Sequence, residues 1–405
     1  MSFANGRRYL AIPGPSVMPD RVLAAMHRAA PNIYQGELVE MTRGIIADLC
    51  RVANSSGHVA IYMSNGHGAW EAANANMFSR GDRALVAATG HFGHGWAESA
   101  RQMGIAVDVV DFGRSTALDA NRIAEALEGD RRHEIRAVLM THVDTASTVR
   151  NDVAAVRAAL DAVGHPALLA VDAIASLGCD PFHFDECGVD VMISASQKGL
   201  MVPPGLGFVW FSQKALEASR SSNLVTPYWD WKPRASATEF YRHFGGTAPT
   251  HHLYGLRESL TMILDEGLER VWARHKVLAQ AVWAAFDVWG GAGNIALNVR
   301  DPQMRSHAVT AARIGDGGAT RLRAWLEEYA GVTLGIGLGM AQPTEPTYDD
   351  FLRVAHMGHV NAHMTLGTLA TMEAGMQALG IPHGNGALDA AAGIIAEAAK
   401  ATGEA

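Results

Sequence analysis

The chain has 405 residues, 48% of them hydrophobic and 18% charged, with a formal net charge of −8. That length exceeds what one core usually serves, so two domains are expected, and the acidic balance excludes a basic field for nucleic acid or anionic lipid. Cys50, Cys179 and Cys187 are too few for a disulfide framework and lack zinc spacing, while the absence of a span-length apolar window or of a signal-like stretch over Met1 to Arg8 makes the cytoplasm the expected location.

Helical periodicity starts over 38–53. Short runs of Val, Ile, Leu and Ala at 58–63, 83–87, 135–142, 167–172, 189–194 and 207–211 then read as buried strands. Between them 68–78, 93–103, 119–128 and 152–163 read as helices. This alternation predicts an α/β architecture, a mostly parallel sheet covered by helices, with ligands at the carboxyl ends of the strands. Residues 226–233, rich in aromatics and proline, predict no regular element and serve equally well as a pocket cover or a packed surface loop. From His251 the pattern changes to long helices over 253–265 and 268–289, the first carrying the chain out of the large domain. A glycine-rich turn at 335–339, a strand over 351–356 and two Ala- and Met-rich helices from Asn361 follow. The expected division is a large domain over 1–255, with an N-terminal segment near the site, and a smaller α/β domain over 256–405.

Lys198 is the first lysine in the chain and follows the apolar run that begins at Val189. An amine held at the end of a buried strand is partly desolvated, which lowers its pKa and supplies the neutral nucleophile that a Schiff base needs. The bland alternative is a lysine that snorkels to solvent. Asp172 ends the run Ala167 to Val171, and a buried carboxylate there calls for a cation, such as the protonated ring nitrogen of pyridoxal phosphate; capping the next segment is the simpler reading. Ser64-Asn65-Gly66-His67-Gly68-Ala69 links a strand to a helix and can turn backbone N–H groups toward a phosphate. It matches neither a Walker motif nor a dinucleotide fingerprint. Phe92, in Gly90-His91-Phe92-Gly93-His94 after the next strand, can lie on a planar ring or simply fill the core.

These segments resemble the class-V aminotransferases, specifically the alanine–glyoxylate and serine–glyoxylate group of fold-type I pyridoxal-phosphate enzymes. The matching residues are Ile12-Pro13-Gly14-Pro15-Ser16, Gly66-His67 with Glu71-Ala72-Ala73, Gly81-Asp82, Thr141-His142, and Val171 to Gly178. They continue through Ser196-Gln197-Lys198-Gly199 with Pro203-Pro204-Gly205, Leu253 to Ser259, and Arg353 with His356-Met357-Gly358. The lysine segment and its Pro-Pro-Gly sequel are specific; the glycine turns are not. The resemblance implies a fold-type I transferase with a large domain and a smaller C-terminal α/β domain. Lys198 would form the imine with pyridoxal 5'-phosphate and Asp172 would pair with its ring nitrogen. Phe92 would stack on the ring, Asn65, Gly66 and His67 would hold the phosphate, and Gln197 and Thr145 would contact the cofactor. Thr247 would reach the phosphate of a neighbouring subunit, which implies a homodimer with shared sites. Arg353 would grip the substrate α-carboxylate, with Pro13 and Gly14 beside it.

The activity so implied is a ping-pong transfer of an amino group from an alanine- or serine-type L-amino acid to a 2-oxo acid such as glyoxylate or pyruvate. Lys198 would shuttle the proton between substrate and cofactor. The alternatives are a pyridoxamine–pyruvate aminotransferase, against which His67 stands where an acidic residue is expected, a lyase or desulfurase, for which no cysteine is marked as reactive, and a non-catalytic binding protein on the same fold. Three departures from the family pattern bear on the site. Thr148 stands where glycine is typical, the segment Gly339 to Asp350 is long, with Ala355 in place of a glycine, and Phe244 replaces a tyrosine near the neighbouring phosphate. His356, His359 and His363 lack an acidic ligand cluster, so no metal site is expected.

Overall fold

The computed structural model describes residues 2–401 and 403. In chain order the strands are β1 (Tyr9–Ala11), β2 (His58–Ser64), β3 (Arg83–Ala88), β4 (Ala106–Asp111), β5 (Ile135–Thr141), β6 (Leu168–Asp172), β7 (Val191–Ala195), β8 (Gly205–Phe211), β9 (Ile295–Leu297), β10 (Val309–Ile314), β11 (Val332–Ile336) and β12 (Phe351–Ala355). They form two sheets.

The larger sheet has the order β2-β8-β7-β6-β5-β3-β4. Strands β4, β3, β5, β6 and β7 are mutually parallel, and β8 runs against both β7 and β2. Every residue of β6 and β7 is buried, as central strands covered on both faces require. Helices Glu37–Ala53, Ala120–Gly129, Val153–Ala162 and Thr250–Glu266 pack one face through Leu49, Leu127, Leu160 and Leu256. Helices Gly66–Met77 and His91–Gln102 cover the other through Trp70, Ala73, Trp96 and Ala97. Side-chain caps start several of these helices: Asp119 on Asn121 N and Asp152 on Ala155 N satisfy donors that the first turn leaves open.

The smaller sheet runs β1-β11-β12-β10-β9. Helices Leu268–Gly290, Gly318–Trp325, Ala362–Leu379 and Ala387–Ala401 enclose it around Phe286, Trp289, Leu322, Leu369 and Met372. Strand β1 joins this sheet, parallel to β11 through Tyr9↔Val332 and Ala11↔Leu334. The chain then crosses to the larger sheet and lays Pro13 to Ser16 beside Lys198.

The structure differs from the sequence reading in several places: β1, β9, β10 and β11 were not expected as strands, and two further segments differ. The edge strand β4 went unpredicted because Asp108 and Asp111 break its apolar run and every one of its residues is at least partly exposed. Residues 226–233, expected to lack regular structure, end in the single helical turn Lys232–Ala235. Trp231 is fully buried there, stacked on Phe211 at 4.3 Å between ring centroids, so the segment is largely a packed element. Its outer residue Trp229 still approaches the turn after β2: a Cβ on Gly68 would lie 3.2 Å from the indole. Among the described residues no helix is long and apolar enough to cross a membrane.

Candidate active site

Parallel strands place their carboxyl ends on one edge of the sheet, and there the connections after β2, β3, β5, β6 and β7 meet. Lys198 lies three residues beyond β7, in a turn fixed from outside. Ser16 donates its N–H to the Gln197 carbonyl at 2.8 Å and its hydroxyl to the Lys198 carbonyl at 2.7 Å. The Lys198 side chain is 9% exposed, and its Nζ donates to the Pro13 carbonyl. Gly14 has φ +107, and a Cβ there would stand 2.5 Å from Nζ, so the close approach needs glycine twice over. Burial pulls the amine from its ordinary value down to about 7, with the Arg353 charge adding to the effect and Asp172 opposing it.

Asp172 closes β6, opposite Thr141 of β5 and Ile193 of β7. Its Oδ1 accepts the Ile174 N–H at 2.8 Å and its Oδ2 accepts the Trp70 indole N–H at 2.9 Å. Burial pushes the carboxyl up to about 7, and these two donors pull in the other direction. Among the described residues no cation forms a salt bridge with it, and a buried carboxylate left this way has room for a positive partner.

Asn65 caps the helix Gly66–Met77, its Oδ1 accepting the N–H groups of His67 at 3.0 Å and Gly68 at 3.3 Å. Gly66 is packed against Ile174, leaving no space for a side chain. His67 is exposed, its ring edge-on to Trp70 at 4.7 Å. Phe92 sits half-buried on the first turn of His91–Gln102, also edge-on to Trp70, at 6.4 Å. The half-buried Gln197 has a shielded Oε1 with no hydrogen-bond partner.

Arg353 comes from β12 of the smaller sheet and is 5% exposed. Its Nε donates to the Ile336 carbonyl and one Nη to the Thr145 carbonyl, each at 2.8 Å, so the guanidinium spans the two sheets with the rest of its fork unassigned by these bonds. Burial lowers it to about 10, still charged near neutrality. Asp144 organises the loop beneath: Oδ2 accepts from Phe92 N at 2.8 Å and Gly93 N at 3.1 Å, and Oδ1 from Ala146 N at 2.9 Å and Ser147 N at 3.2 Å. Thr148, where glycine is typical of the family, takes φ +63, the conformation glycine favours. Its hydroxyl accepts the Ala311 N–H at 3.2 Å, clipping the loop to β10.

The fold thus brings Lys198, Asp172, Asn65, Gly66, His67, Phe92, Thr145, Gln197, Arg353, Pro13 and Gly14 together at one site, at the carboxyl ends of the parallel strands. Thr247 is not among them: it is exposed on the connection before the helix Thr250–Glu266. Phe244 is fully buried beside Phe240 at 5.4 Å and so faces its own core. His356 bonds Thr310 and the His307 carbonyl in the interior. Sequence reasoning missed Trp70, Asp144 and Ser16 as parts of the site. Asp144 left a signal, a lone acid inside a stretch from Thr141 to Val149 that is otherwise uncharged apart from His142. Trp70 left none, since an indole among alanines reads as core until its Nε1 is seen to face Asp172.

The family described as "Aminotransferase class-V" matches residues 9–362. The chain is 37% identical over 374 residues to the serine–glyoxylate aminotransferase of Methylorubrum extorquens, covering 91% of this chain and 90% of that one. It is likewise 37% identical over 375 residues to the L-aspartate–glyoxylate aminotransferase of Paracoccus denitrificans, covering 92% and 91%. Among solved structures, the pyridoxamine–pyruvate aminotransferase of Mesorhizobium loti superposes with a TM-score of 0.88 at 25% identity, covering 98% of this chain and 100% of that one. With the family match spanning most of the chain, this protein belongs to the class-V aminotransferases and is a transaminase of the fold-type I, pyridoxal-phosphate-dependent kind.

Proposed function

We propose that the protein binds pyridoxal 5'-phosphate at this site and transfers the amino group of a small L-amino acid, of the alanine or serine type, to a 2-oxo acid such as glyoxylate or pyruvate. One observation carries the reading: a desolvated amine, a buried carboxylate without a salt-bridge cation and a buried arginine come from three separate segments close enough that the charges of Arg353 and Asp172 act on the Lys198 amine. The names of the serine– and aspartate–glyoxylate relatives support the substrate class.

The residues present fit the cofactor. Asp172 has the charge and burial that a protonated ring nitrogen requires. The partnerless Gln197 Oε1 offers an acceptor, and the capped helix start at Asn65, Gly66 and His67 offers N–H groups and a positive dipole end to a phosphate. Phe92 and Thr145 would flank the ring. When bound, the cofactor supplies an aldehyde and an electron-withdrawing ring. Lys198, its amine held at about 7, would serve as the nucleophile toward that aldehyde and as the base that takes a proton at the substrate Cα. The Pro13 carbonyl holds Nζ in place, and Arg353 orients the substrate carboxylate beside Pro13 and Gly14.

We further propose a cytoplasmic homodimer in which the exposed Thr247 serves the neighbour's phosphate, and a division into a large domain over 1–255 and a small one over 256–405. The likeness to the pyridoxamine–pyruvate enzyme keeps a second reading open, in which the free vitamin amine is itself the substrate. The test is direct. The wild type loaded with pyridoxal phosphate should absorb in the visible and lose that band on addition of its amino acid donor, and Lys198→Ala should do neither. Lys198→Ala that still transaminates at the wild-type rate refutes the reading, and turnover of free pyridoxamine with pyruvate in preference to amino acids selects the second one.

A further inference from the structure

Two tryptophans share one stack beside Asp172. Trp70 and Trp96 are each 1% exposed, with ring centroids 6.1 Å apart and planes within 7° of parallel. They differ in where the indole N–H goes: Trp96 donates to the Asn74 side chain at 3.0 Å, Trp70 to Asp172 Oδ2 at 2.9 Å. Trp70 also meets the edges of His67, in the phosphate turn, and Phe92. It therefore touches three of the groups assigned to the cofactor while approaching none of the substrate side.

We infer that Trp70 is a positioning residue for the cofactor ring: its N–H holds the Asp172 carboxylate ionised and oriented toward a ring cation, an inference that rests on the proposed function. The carboxylate has one other donor, Ile174 N–H, and feels Asp144 and Lys198 as its charged neighbours. A hydrogen bond to a buried charged group favours that charged form. Without it, the proton shared between carboxylate and ring nitrogen moves toward the carboxylate.

The test uses the enzyme loaded with ring-¹⁵N pyridoxal phosphate and follows the nitrogen resonance across pH. In Trp70→Phe the neutral ring should gain on the protonated ring by about tenfold or more. Trp96→Phe, which disturbs the same stack but no bond to Asp172, should titrate like wild type. Equal titration of Trp70→Phe and wild type overturns the inference, as does Trp96→Phe moving as far as Trp70→Phe. If Trp70→Phe does not fold, the benzothiophene isostere of tryptophan at position 70 keeps the shape and removes the N–H, with the same two outcomes. A wild-type chain that takes up no pyridoxal phosphate overturns the proposed function and this inference with it, whereas normal uptake with unmoved resonances overturns the inference alone.

Discussion

Arg353→Lys separates the two jobs that the arginine is proposed to do. Its Nε and one Nη are already committed to the carbonyls of Ile336 and Thr145, so the guanidinium plane is held before any substrate arrives. A carboxylate meeting the rest of the fork would gain two charge-assisted hydrogen bonds, together about 3–5 kcal/mol. Lysine keeps the charge but has no plane and at most one of those bonds, so about 1.5–3 kcal/mol should be lost, roughly 10- to 150-fold in kcat/KM. The assay compares an amino acid with the amine that lacks its carboxylate, such as serine against ethanolamine, in single-turnover loss of the visible band. The amino acid should suffer the full loss and the amine should change by less than about threefold. If both fall together, Arg353 acts by pinning β12 to the loop at Thr145, and its assignment to the substrate carboxylate is wrong.

Four further outcomes are expected. In the cofactor-free chain, Asp172 keeps its proton up to about pH 7 when folded but only to 3.8 when unfolded, so stability declines as pH rises between those values. Lys198 is neutral above about 7 when folded but charged up to 10.5 when unfolded, so stability climbs from 7 upward. Buried His142, His275 and His356, held down to about 4, 3 and 4, add a rise of their own below pH 6.5, so the test is a difference: wild-type urea stability relative to Asp172→Asn should fall, and relative to Lys198→Met should climb, by on the order of 3–5 kcal/mol across those windows, and a pH-independent difference contradicts the burial of the group replaced. Asp144→Asn puts an amide against two of four N–H donors and should cost about 2–5 kcal/mol in urea unfolding; a loss under about 1 kcal/mol means the loop reorganises freely. Gly14→Ala, strained at φ +107 and in collision with Nζ, should prevent the visible band from forming even though the chain folds, as circular dichroism would establish. Asn65→Ala should destabilise by about 1 kcal/mol through the lost cap and weaken retention of the cofactor on dialysis, and unchanged retention removes Asn65 from the phosphate site.

Much of this was legible in the residues. Strands β6 and β7 are buried throughout and almost wholly apolar, so Asp172 and the turn at Lys198 stand out at their ends, and β5 shows the same kind of run after its one exposed residue, Arg136. Edge strand β4 alternates with aspartates and hides. The smaller sheet hides for other reasons: β9 has only three residues, β11 runs into the glycines that read as a turn at 335–339, and β1 gains its identity only from a partner at the other end of the chain. Within the site, residues acting by their own charge were visible. Those acting through a neighbour, Trp70, Asp144 and Ser16, were not, because an indole, a carboxylate or a hydroxyl of this kind has meaning only once the sheet register sets what faces it. Thr148 reads as a departure in the sequence, yet the backbone keeps the left-handed turn and the hydroxyl acquires a bond that glycine cannot make.

The pairing of β1 with β11 reaches into how the protein is made. A ribosome delivers Tyr9 to Ala11 early and Val332 to Leu334 late, so the first strand waits unpartnered through most of translation. Every strand of the larger sheet ends by Phe211, although the helix Thr250–Glu266 is still needed to cover one face, and the segment that carries Pro13 and Ser16 to Lys198 begins at a strand held by the late β11. A chain stopped short of Val332 would own every strand of its main sheet while leaving the strand that leads into Pro13 and Ser16 without its partner.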